Sequence, residues 1–511
     1  MWLSFLSALL AIVSYPPLGL YGFAFVALIP YFSFVLGERS LLRLFAGTLV
    51  FRIALAAYVA VVAFEPIIFL QSAVLFFGFP LSVYLVKRMT GRELVWFCVL
   101  PPLFAFWEHV ESRLTLLPYF VVDIGINLAP SPFLGLARFG GVEFLMLFVA
   151  AVNAALLFAL KRLRFSISFS RAPRIFSVSF DAAGRRGLLV ALVLLVAGFV
   201  LSRVSLRGRS EEYQRREDIV EILLVSTTEA FDREVEDFPD GLGKTELDHV
   251  GRLIAQRLAP IKERVLQSES APDLVVFPED IFRNEYTDDR DEEAFEKFGV
   301  VNAGTLIRQY REFAKSTRSR VLVYTTVVVA SGERYNMGML FAQDGSIVDV
   351  YKKRYLAYGG EFWPFGEWRP FYVNWARETV PNIVKRSPVF DPRLQFARGG
   401  ETKNFSLAGE IVFGTPICGE LHYPFVAKKF VDRGARFLIH SSSNNWAIAG
   451  FRKYLESVVW LRQIEAAWLG VPILVNGRRD LAGAVYPDGS VDMIDFENSE
   501  NFAVYRAQIK L

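Results

Sequence analysis

Three reactive side chains in the second half of the chain each come after a short apolar stretch. Glu279 closes the run Pro-Asp-Leu-Val-Val-Phe-Pro-Glu, Lys353 follows the stretch 347–350, and Cys418 follows the β-branched run 411–417. Such runs are typical of buried strands, and a thiol at a strand-to-loop corner can act as a nucleophile. A carboxylate can serve as its base, and a lysine can stabilise an oxyanion. Taken alone, Cys418 could instead be a small buried hydrophobic residue.

The elements that would position these groups alternate between strands and helices from residue 219 onward. Strands are predicted at 219–225, 274–277, 320–329, 338–341, 411–417, 437–441 and 471–475, and helices at 247–268, 303–316, 425–433 and 454–469. This alternation predicts a largely buried sheet covered by helices, with the three reactive groups at equivalent strand ends.

The first half of the chain is dominated by long apolar segments. They lie at 2–13, 18–36, 44–63, 67–86, 94–110, 133–160 and 187–204. Several reach the roughly 20 residues that a bilayer-spanning helix needs. We therefore predict a bundle of about seven transmembrane helices over residues 1–204, a polar linker at 205–217 and a catalytic domain at 218–511.

Basic residues in the connectors predict the orientation of this bundle. The connectors after the second, fourth and sixth spans carry twelve bases, whereas those on the other side carry Arg113 alone. The positive-inside rule then places the N-terminus in the cytoplasm and residues beyond 204 outside it. Three acids near membrane depth, Glu108, Glu111 and Asp123, are expected to face the protein interior or a water-filled cavity. Residues 117–132 could form a re-entrant segment or an amphipathic connector.

Composition excludes several classes of function. A net charge of +3 gives no case for nucleic-acid binding. The two cysteines, Cys98 and Cys418, do not suggest a structural disulfide, and the four scattered histidines do not have zinc-ligand spacing. Neither a metal nor another cofactor is predicted.

The three motifs together resemble a known family. Glu279 in Phe-Pro-Glu, Lys353 in Tyr-Lys-Lys-Arg and Cys418 in Ile-Cys-Gly-Glu are similar to the Glu-Lys-Cys triad of the nitrilase, or carbon-nitrogen hydrolase, superfamily. With a membrane bundle in front of them, the chain resembles the apolipoprotein N-acyltransferase family. The resemblance implies an α/β nitrilase-like four-layer α-β-β-α sandwich on the periplasmic side of the bacterial inner membrane.

The resemblance also implies an activity. Glu279 would be the general base, Lys353 would stabilise the oxyanion, and Cys418 would take a fatty acyl chain from a phospholipid as a thioester. The acyl chain would then pass to the α-amino group of the N-terminal diacylglyceryl cysteine of a lipoprotein. Two alternatives remain: a membrane-tethered amidase or acyltransferase acting on a different amine, and a non-catalytic membrane protein that binds lipoproteins.

A second glutamate is expected from the resemblance, and two positions compete for it. Glu361 keeps the family spacing of eight residues after the lysine, and Glu367 keeps the local motif Pro-Phe-Gly-Glu. We favour Glu361 because spacing determines reach. Glu420 is retained after the cysteine, whereas Gly419 replaces a tyrosine of the family. Residues 444–446, Asn-Asn-Trp, also depart from the family pattern.

Overall fold

Two compact units make up the chain. The structure, a computed structural model, describes residues 1–60, 72–114, 123–168, 175–227, 244–268, 270–279, 289–358, 360–369, 391–407, 410–443, 455–478, 482–494 and 502–511. Unit 1 comprises Met1–Ser210 with Ile448–Gly470, and unit 2 comprises Glu211–Ala447 with Val471–Leu511.

Unit 1 is mainly helical. Its helices are α1 (Trp2–Ser14), α2 (Ala24–Ala27), α3 (Ile29–Gly37), α4 (Leu41–Ala60), α5 (Gly78–Met89), α6 (Glu93–Leu114), α7 (Gly141–Leu160), α8 (Ala182–Gln214) and, from late in the chain, α13 (Leu455–Leu469). A hairpin of β1 (Leu163–Ser168) and β2 (Ile175–Phe180) joins α7 to α8.

Three stretches among the described residues are long and apolar enough to cross a membrane. They are Ser72–Met89, Gly141–Leu160 and Ala182–Gln214. Trp2–Ser14 and Tyr21–Gly37 are shorter apolar helical stretches. The three spans agree with three of the predicted segments, and the count of seven stays a prediction.

The segment predicted as a linker, 205–217, is helical up to Gln214 because α8 continues through it. Arginine, glutamate and glutamine are good helix formers, and no proline interrupts the run. A polar composition therefore marks the end of the apolar part of α8 rather than the end of the helix.

Glu108, Glu111 and Asp123, three acids predicted to face the protein interior or a cavity, are buried inside unit 1. Exposed fractions are 5% for Glu108, 1% for Glu111 and 4% for Asp123. The Arg52 guanidinium lies 2.8 Å from Glu108 and also contacts Glu111. An arginine on α4 thus compensates part of the negative charge on α6, which lowers the cost of burying it.

Helix α13 belongs to unit 1 although it lies within the stretch predicted as the catalytic domain. Trp468 packs on Gly141, where a Cβ would come within 3.0 Å of the indole ring. Arg209 donates from its guanidinium to the carbonyl oxygens of Ala467 and Trp468, at 3.2 and 2.9 Å. Close packing and these hydrogen bonds at its C-terminal end account for the position of α13.

Unit 2 is built on a large sheet. Its strands are β3 (Ile219–Thr227), β4 (Leu274–Glu279), β5 (Arg320–Val328), β6 (Arg334–Phe341), β7 (Ile347–Lys352), β8 (Phe405–Leu407), β9 (Ile411–Gly414), β10 (Phe437–Ser443), β11 (Ile473–Arg478), β12 (Ala482–Val485), β13 (Val491–Ile494) and β14 (Phe502–Lys510). Its helices are α9 (Lys244–Leu266), α10 (Glu292–Phe298), α11 (Gly304–Thr317) and α12 (Pro424–Asp432).

The order of the strands along the main path of this sheet is β7-β6-β5-β4-β3-β11-β10-β9-β8. The strands from β9 through β10, β11, β3 and β4 to β5 pair in parallel. Strand β6 pairs antiparallel with β5, and β7 pairs antiparallel with β6. Strand β7 therefore runs in the same direction as β5. The carboxyl ends of β4, β7, β9 and β10 therefore lie at one edge of the sheet, where α/β proteins place their sites.

Helices α9 and α11 cover one face of this sheet and form a core with it. Ile254, Ile261, Ile307 and Phe313 from the helices join Val323 and other strand residues in one buried cluster. Strands β3, β4 and β5 are largely apolar, as the continuous apolar runs in the sequence predict.

Candidate active site

Glu279 is the last residue of β4, as its position after an apolar run predicts, and it is 5% exposed. Its Oε1 accepts a hydrogen bond from Asn336 Nδ2 at 2.6 Å and lies 3.8 Å from Lys353 Nζ. The ammonium and the amide compensate the negative charge of this buried carboxylate.

Lys353 comes directly after β7, and it is 1% exposed. Its Nζ donates to Glu361 Oε1 at 2.9 Å and lies 2.8 Å from Glu361 Oε2. Burial alone would lower the pKa of Lys353, but the charges of Glu361, Cys418 and Glu279 raise it above the ordinary value. The ammonium is therefore charged at neutral pH and held between two carboxylates.

Glu361 is held in place by more than the lysine. Asn336 Nδ2 donates to Glu361 Oε1 at 2.8 Å, and the backbone N–H of Ala357 donates to Glu361 Oε2 at 2.8 Å. Asn336 thus bridges both carboxylates with its amide, and its backbone oxygen accepts from the N–H of Lys353 at 2.8 Å. Glu361, favoured by its spacing, contacts the lysine.

Glu367 does not belong to the cluster of Lys353, Glu279 and Glu361. Its side chain is exposed on the loop after Trp363. Its charge acts on Arg369, two residues further along the chain. Glu367 therefore does not take part in the lysine-carboxylate cluster, although the motif around it is intact.

Cys418 opens a 3₁₀ turn, Cys418–His422, a few residues after β9 ends at Gly414. Its φ of 47° is in the left-handed region, which a residue with a side chain adopts at some cost. Cys418 as a residue is partly exposed, whereas its thiol is buried, and the backbone N–H of Ser443 donates to the thiol. A strained corner that presents its side chain is a frequent arrangement for a nucleophile.

Burial raises the pKa of the Cys418 thiol to about 12, with Glu279 adding to the rise and Lys353 opposing it. The resting residue is therefore a neutral thiol and not a preformed thiolate. A base must remove its proton during attack, and Glu279 is the buried carboxylate whose charge acts on it most.

Glu420 connects the loop after the lysine to the loop after the cysteine. The Glu420 side chain is fully buried. Its Oε1 accepts hydrogen bonds from the backbone N–H groups of Arg354 and Tyr355 at 2.8 and 3.0 Å. Its Oε2 accepts from the N–H of Ile417 at 2.9 Å, and the Tyr351 hydroxyl donates to the same carboxylate at 2.8 Å. Glu420 thus positions the residue before the nucleophile, and burial raises its pKa despite these donors.

His440 holds the backbone of the nucleophile from the neighbouring strand. It is fully buried on β10, and its Nε2 lies 2.9 Å from the carbonyl oxygen of Cys418. Because a carbonyl only accepts, Nε2 carries the proton. This hydrogen bond stabilises the left-handed corner at Cys418.

The open position beside the nucleophile is Gly419. A Cβ built there has no neighbour within 4 Å, so the glycine is not required by crowding. Residues 444–446, the other departure from the family pattern, lie outside the described residues.

Sequence reasoning missed Asn336, Tyr351 and His440. Asn336 sits within β6, and no motif or strand end marks it. His440 is one of four histidines scattered along the sequence, and their spacing is not that of metal ligands, so spacing does not mark it. A polar residue inside an otherwise apolar strand was the available signal, since a buried polar group needs a partner.

Residues 247–481 match the carbon-nitrogen hydrolase family. The match covers somewhat less than half of the chain, so residues 247–481 are similar to carbon-nitrogen hydrolases. Two curated relatives support the same resemblance. The apolipoprotein N-acyltransferase of Aquifex aeolicus is 25% identical over 178 residues, 35% of this chain and 33% of the relative. The apolipoprotein N-acyltransferase 2 of Treponema denticola is 24% identical over 206 residues, which are 39% of this chain and 35% of the relative. The matched part thus spans about a third of each relative's length.

Solved structures are also similar to part of this chain. Nit3 of Saccharomyces cerevisiae, from the nitrilase superfamily, is 15% identical with a TM-score of 0.38 and covers 58% of this chain and 91% of its own. A carbon-nitrogen hydrolase of Helicobacter pylori G27 is 16% identical, with a TM-score of 0.34. The alignment covers 57% of this chain and 89% of the Helicobacter protein.

Proposed function

We propose that this protein is a membrane-bound lipoprotein N-acyltransferase. It moves a fatty acyl chain from a phospholipid to the α-amino group of an N-terminal diacylglyceryl cysteine, through a thioester on Cys418. The observation that carries the proposal is the cluster of Lys353, Glu279 and Glu361, whose charges all act on the thiol. The names of the two curated relatives supply the lipoprotein substrate.

In the first half-reaction Glu279 accepts the thiol proton while Sγ attacks the ester carbonyl carbon. Negative charge develops on the carbonyl oxygen, and the Lys353 ammonium stabilises it in a buried setting where its charge acts strongly. The bond to the glycerol oxygen then breaks, that oxygen takes the proton from Glu279, and a lysophospholipid leaves.

The second half-reaction repeats the chemistry with an amine. The acceptor's α-amino nitrogen attacks the thioester carbonyl and gives its proton to Glu279. The C–S bond breaks, and the sulfur regains its proton from the same carboxyl group. A thioester is reactive towards amines, so one nucleophile serves both lipid substrates in turn.

Glu361 and Asn336 contribute by position. Glu361 holds the ammonium at two oxygens, and Asn336 holds both carboxylates at fixed separation. Preorganised groups of this kind need not rearrange as charge develops. In this proposal Glu361 is the supporting glutamate, whereas Glu367 has no role in the reaction.

The membrane assignment belongs to the same proposal. Three apolar helices support an attachment to the bilayer, and the basic connectors support a periplasmic catalytic domain with several spans in the bacterial inner membrane. An enzyme of soluble amides would not need these helices.

Intact-mass spectrometry of the detergent-purified protein after incubation with phosphatidylethanolamine tests the proposal. We expect one added acyl mass on the wild type and none on Cys418→Ala. Cys98→Ala, which removes the other cysteine, should still be acylated. Adding a diacylglyceryl lipopeptide should remove the mass from the enzyme and place it on the peptide.

Two results would contradict the proposal. An acyl mass that persists in Cys418→Ala would show that the thiol is not the carrier. An acyl-enzyme that is hydrolysed without loading the lipopeptide would favour an amidase or a transferase to another amine.

A further inference from the structure

Three aromatic side chains form a connected surface beside the nucleophile, which we call the aromatic floor. Tyr355, Tyr423 and Phe425 have ring centroids 5.4 to 5.6 Å apart in all three pairs. Tyr355 and Phe425 are half-buried, so parts of these rings face outward. The surface is apolar, yet it carries two hydroxyl groups.

Lys429 is attached to this floor. Its Nζ lies 2.7 Å from the Tyr355 hydroxyl and 5.3 and 5.2 Å from the ring centroids of Tyr355 and Phe425. These partners are a hydroxyl and two ring faces, none of which carries a negative charge that would compensate the ammonium.

Two arginines add to this charge. The Arg354 guanidinium lies 5.7 Å from the Tyr355 ring centroid, and the Arg398 charge acts on the Tyr423 hydroxyl. Arg398 is exposed and lies 4.8 Å from the ring centroid of Phe362. We call Arg354, Arg398 and Lys429 the rim cations.

The rim cations have no carboxylate partner in the part of the chain that the structure describes. Glu420 lies nearby, but its oxygens accept from backbone N–H groups and a tyrosine. Glu361 is bound to Lys353. By contrast, Lys428 on the same helix as Lys429 pairs with Asp432. Three uncompensated charges therefore gather at one place.

This place adjoins the reacting groups through short connections. Arg354 follows Lys353 directly, and Tyr423 follows the 3₁₀ turn that Cys418 opens. The backbone N–H groups of Arg354 and Tyr355 bond to Glu420, which also fixes the residue before the nucleophile. A group bound at the rim would thus be held beside the thiol.

We propose that the rim cations and the aromatic floor bind the phosphate group of the phospholipid acyl donor. The proposal rests on the proposed function for the source of the phosphate. Phosphodiesters are always ionised near neutrality and carry several acceptor oxygens, which suit two guanidinium groups and an ammonium. The rings would contact the glycerol carbons next to the phosphate. Selection of the donor would then come partly from its phosphate and not only from its acyl chain.

Protection of Cys418 against iodoacetamide tests this binding without requiring acyl transfer. The background is Cys98→Ala, and the alkylation rate of Cys418 is followed by mass spectrometry. The probes are dihexanoyl phosphatidylglycerol below its micelle concentration, dihexanoylglycerol, which has no phosphate, and inorganic phosphate.

Lys429→Met and Lys428→Met form a matched pair on α12. Both remove one charge, but Lys428 pairs with Asp432 and does not touch the floor. We expect Lys429→Met to raise the half-protecting concentration of the phospholipid about fivefold, the scale of one partly exposed charge pair. Lys428→Met should change it by less than about twofold. Lys429→Arg should restore protection, which separates loss of charge from misfolding.

Other outcomes would overturn the proposal. Equal effects of Lys429→Met and Lys428→Met, or no rescue by Lys429→Arg, would show that the rim cations do not bind the phosphate group. Dihexanoylglycerol protecting as well as the phospholipid would exclude phosphate recognition. Inorganic phosphate protecting at the same concentration would assign the rim to free phosphate instead of a lipid. Failure of acyl transfer alone would refute the proposed function and leave the protection result to be judged separately.

Discussion

Replacing Glu279 by glutamine should change two reactivities of Cys418 in opposite directions. Glutamine keeps the shape of the side chain and an oxygen that can accept from Asn336, but it removes the negative charge. That charge is the main cause, after burial, of the raised pKa of the thiol. Removing it should lower the thiol pKa and increase the thiolate population. It should also remove the base that acyl transfer needs.

The magnitude follows from the charges. With a pKa of about 12, the thiol is ionised to roughly one part in 10⁴ at pH 8. Two unit charges about 5 Å apart at an effective dielectric of about 20 interact by about 3 kcal/mol, or about two pKa units. Solvent near Cys418, which is partly exposed as a residue, weakens this interaction, so we expect alkylation by iodoacetamide to rise about tenfold at pH 8. Acyl transfer should fall by about 10² to 10⁴.

The assay compares both rates on a Cys98→Ala background. Alkylation of Cys418 is measured from about pH 6 to 10 by mass spectrometry, and acylation by intact mass. Lys353→Met serves as the opposite control, since its ammonium lowers the thiol pKa and its loss should slow alkylation. If Glu279→Gln slows alkylation together with acylation, the carboxylate does not hold the thiol neutral and the assignment of the base is refuted.

Three further predictions concern groups around the nucleophile. Glu361→Gln should reduce the rate of Cys418 acylation by about 10², while Glu367→Gln, on an exposed loop, should stay within about twofold of wild type; equal losses would contradict the assignment. Glu420→Gln places amide N–H groups against backbone donors, so the free energy of unfolding should fall by about 2 kcal/mol, and an unchanged thermal midpoint would argue against this role. His440→Leu removes the donor to the Cys418 carbonyl and should slow acylation about tenfold; recovery in His440→Gln would separate the hydrogen bond from packing.

Much of the fold of unit 2 was predictable from local patterns. An apolar run ends where β4 ends, at Glu279, and this strand is buried at every position. The strand before Lys353, β7, is buried only at Ile347 and Tyr351. Helix periodicity located α11 and α12 to within one residue at each end. The polar stretch 205–217, predicted as a linker, is helical up to Gln214, since the composition changes there without any break in the helix.

Choosing between Glu361 and Glu367 required both spacing and three-dimensional contacts. The spacing from Lys353 favours Glu361, and the carboxylate of Glu361 contacts the Lys353 ammonium. The local motif pointed to Glu367, which is exposed. A sequence motif describes only neighbouring residues, whereas the electrostatic effect of a carboxylate depends on its distance from the group that it acts on.

The sequence by itself determined which residues could do chemistry, that they follow strands, and that the first half is apolar enough for a membrane. Those properties depend on residue type and on short-range periodicity, which a chain carries before it folds. Only the tertiary structure decided that Asn336 joins two carboxylates, that Glu420 and His440 fix the backbone at Cys418, and that α13 belongs to unit 1. These are contacts between residues far apart along the chain, and they exist only once the order of strands in the sheet is set.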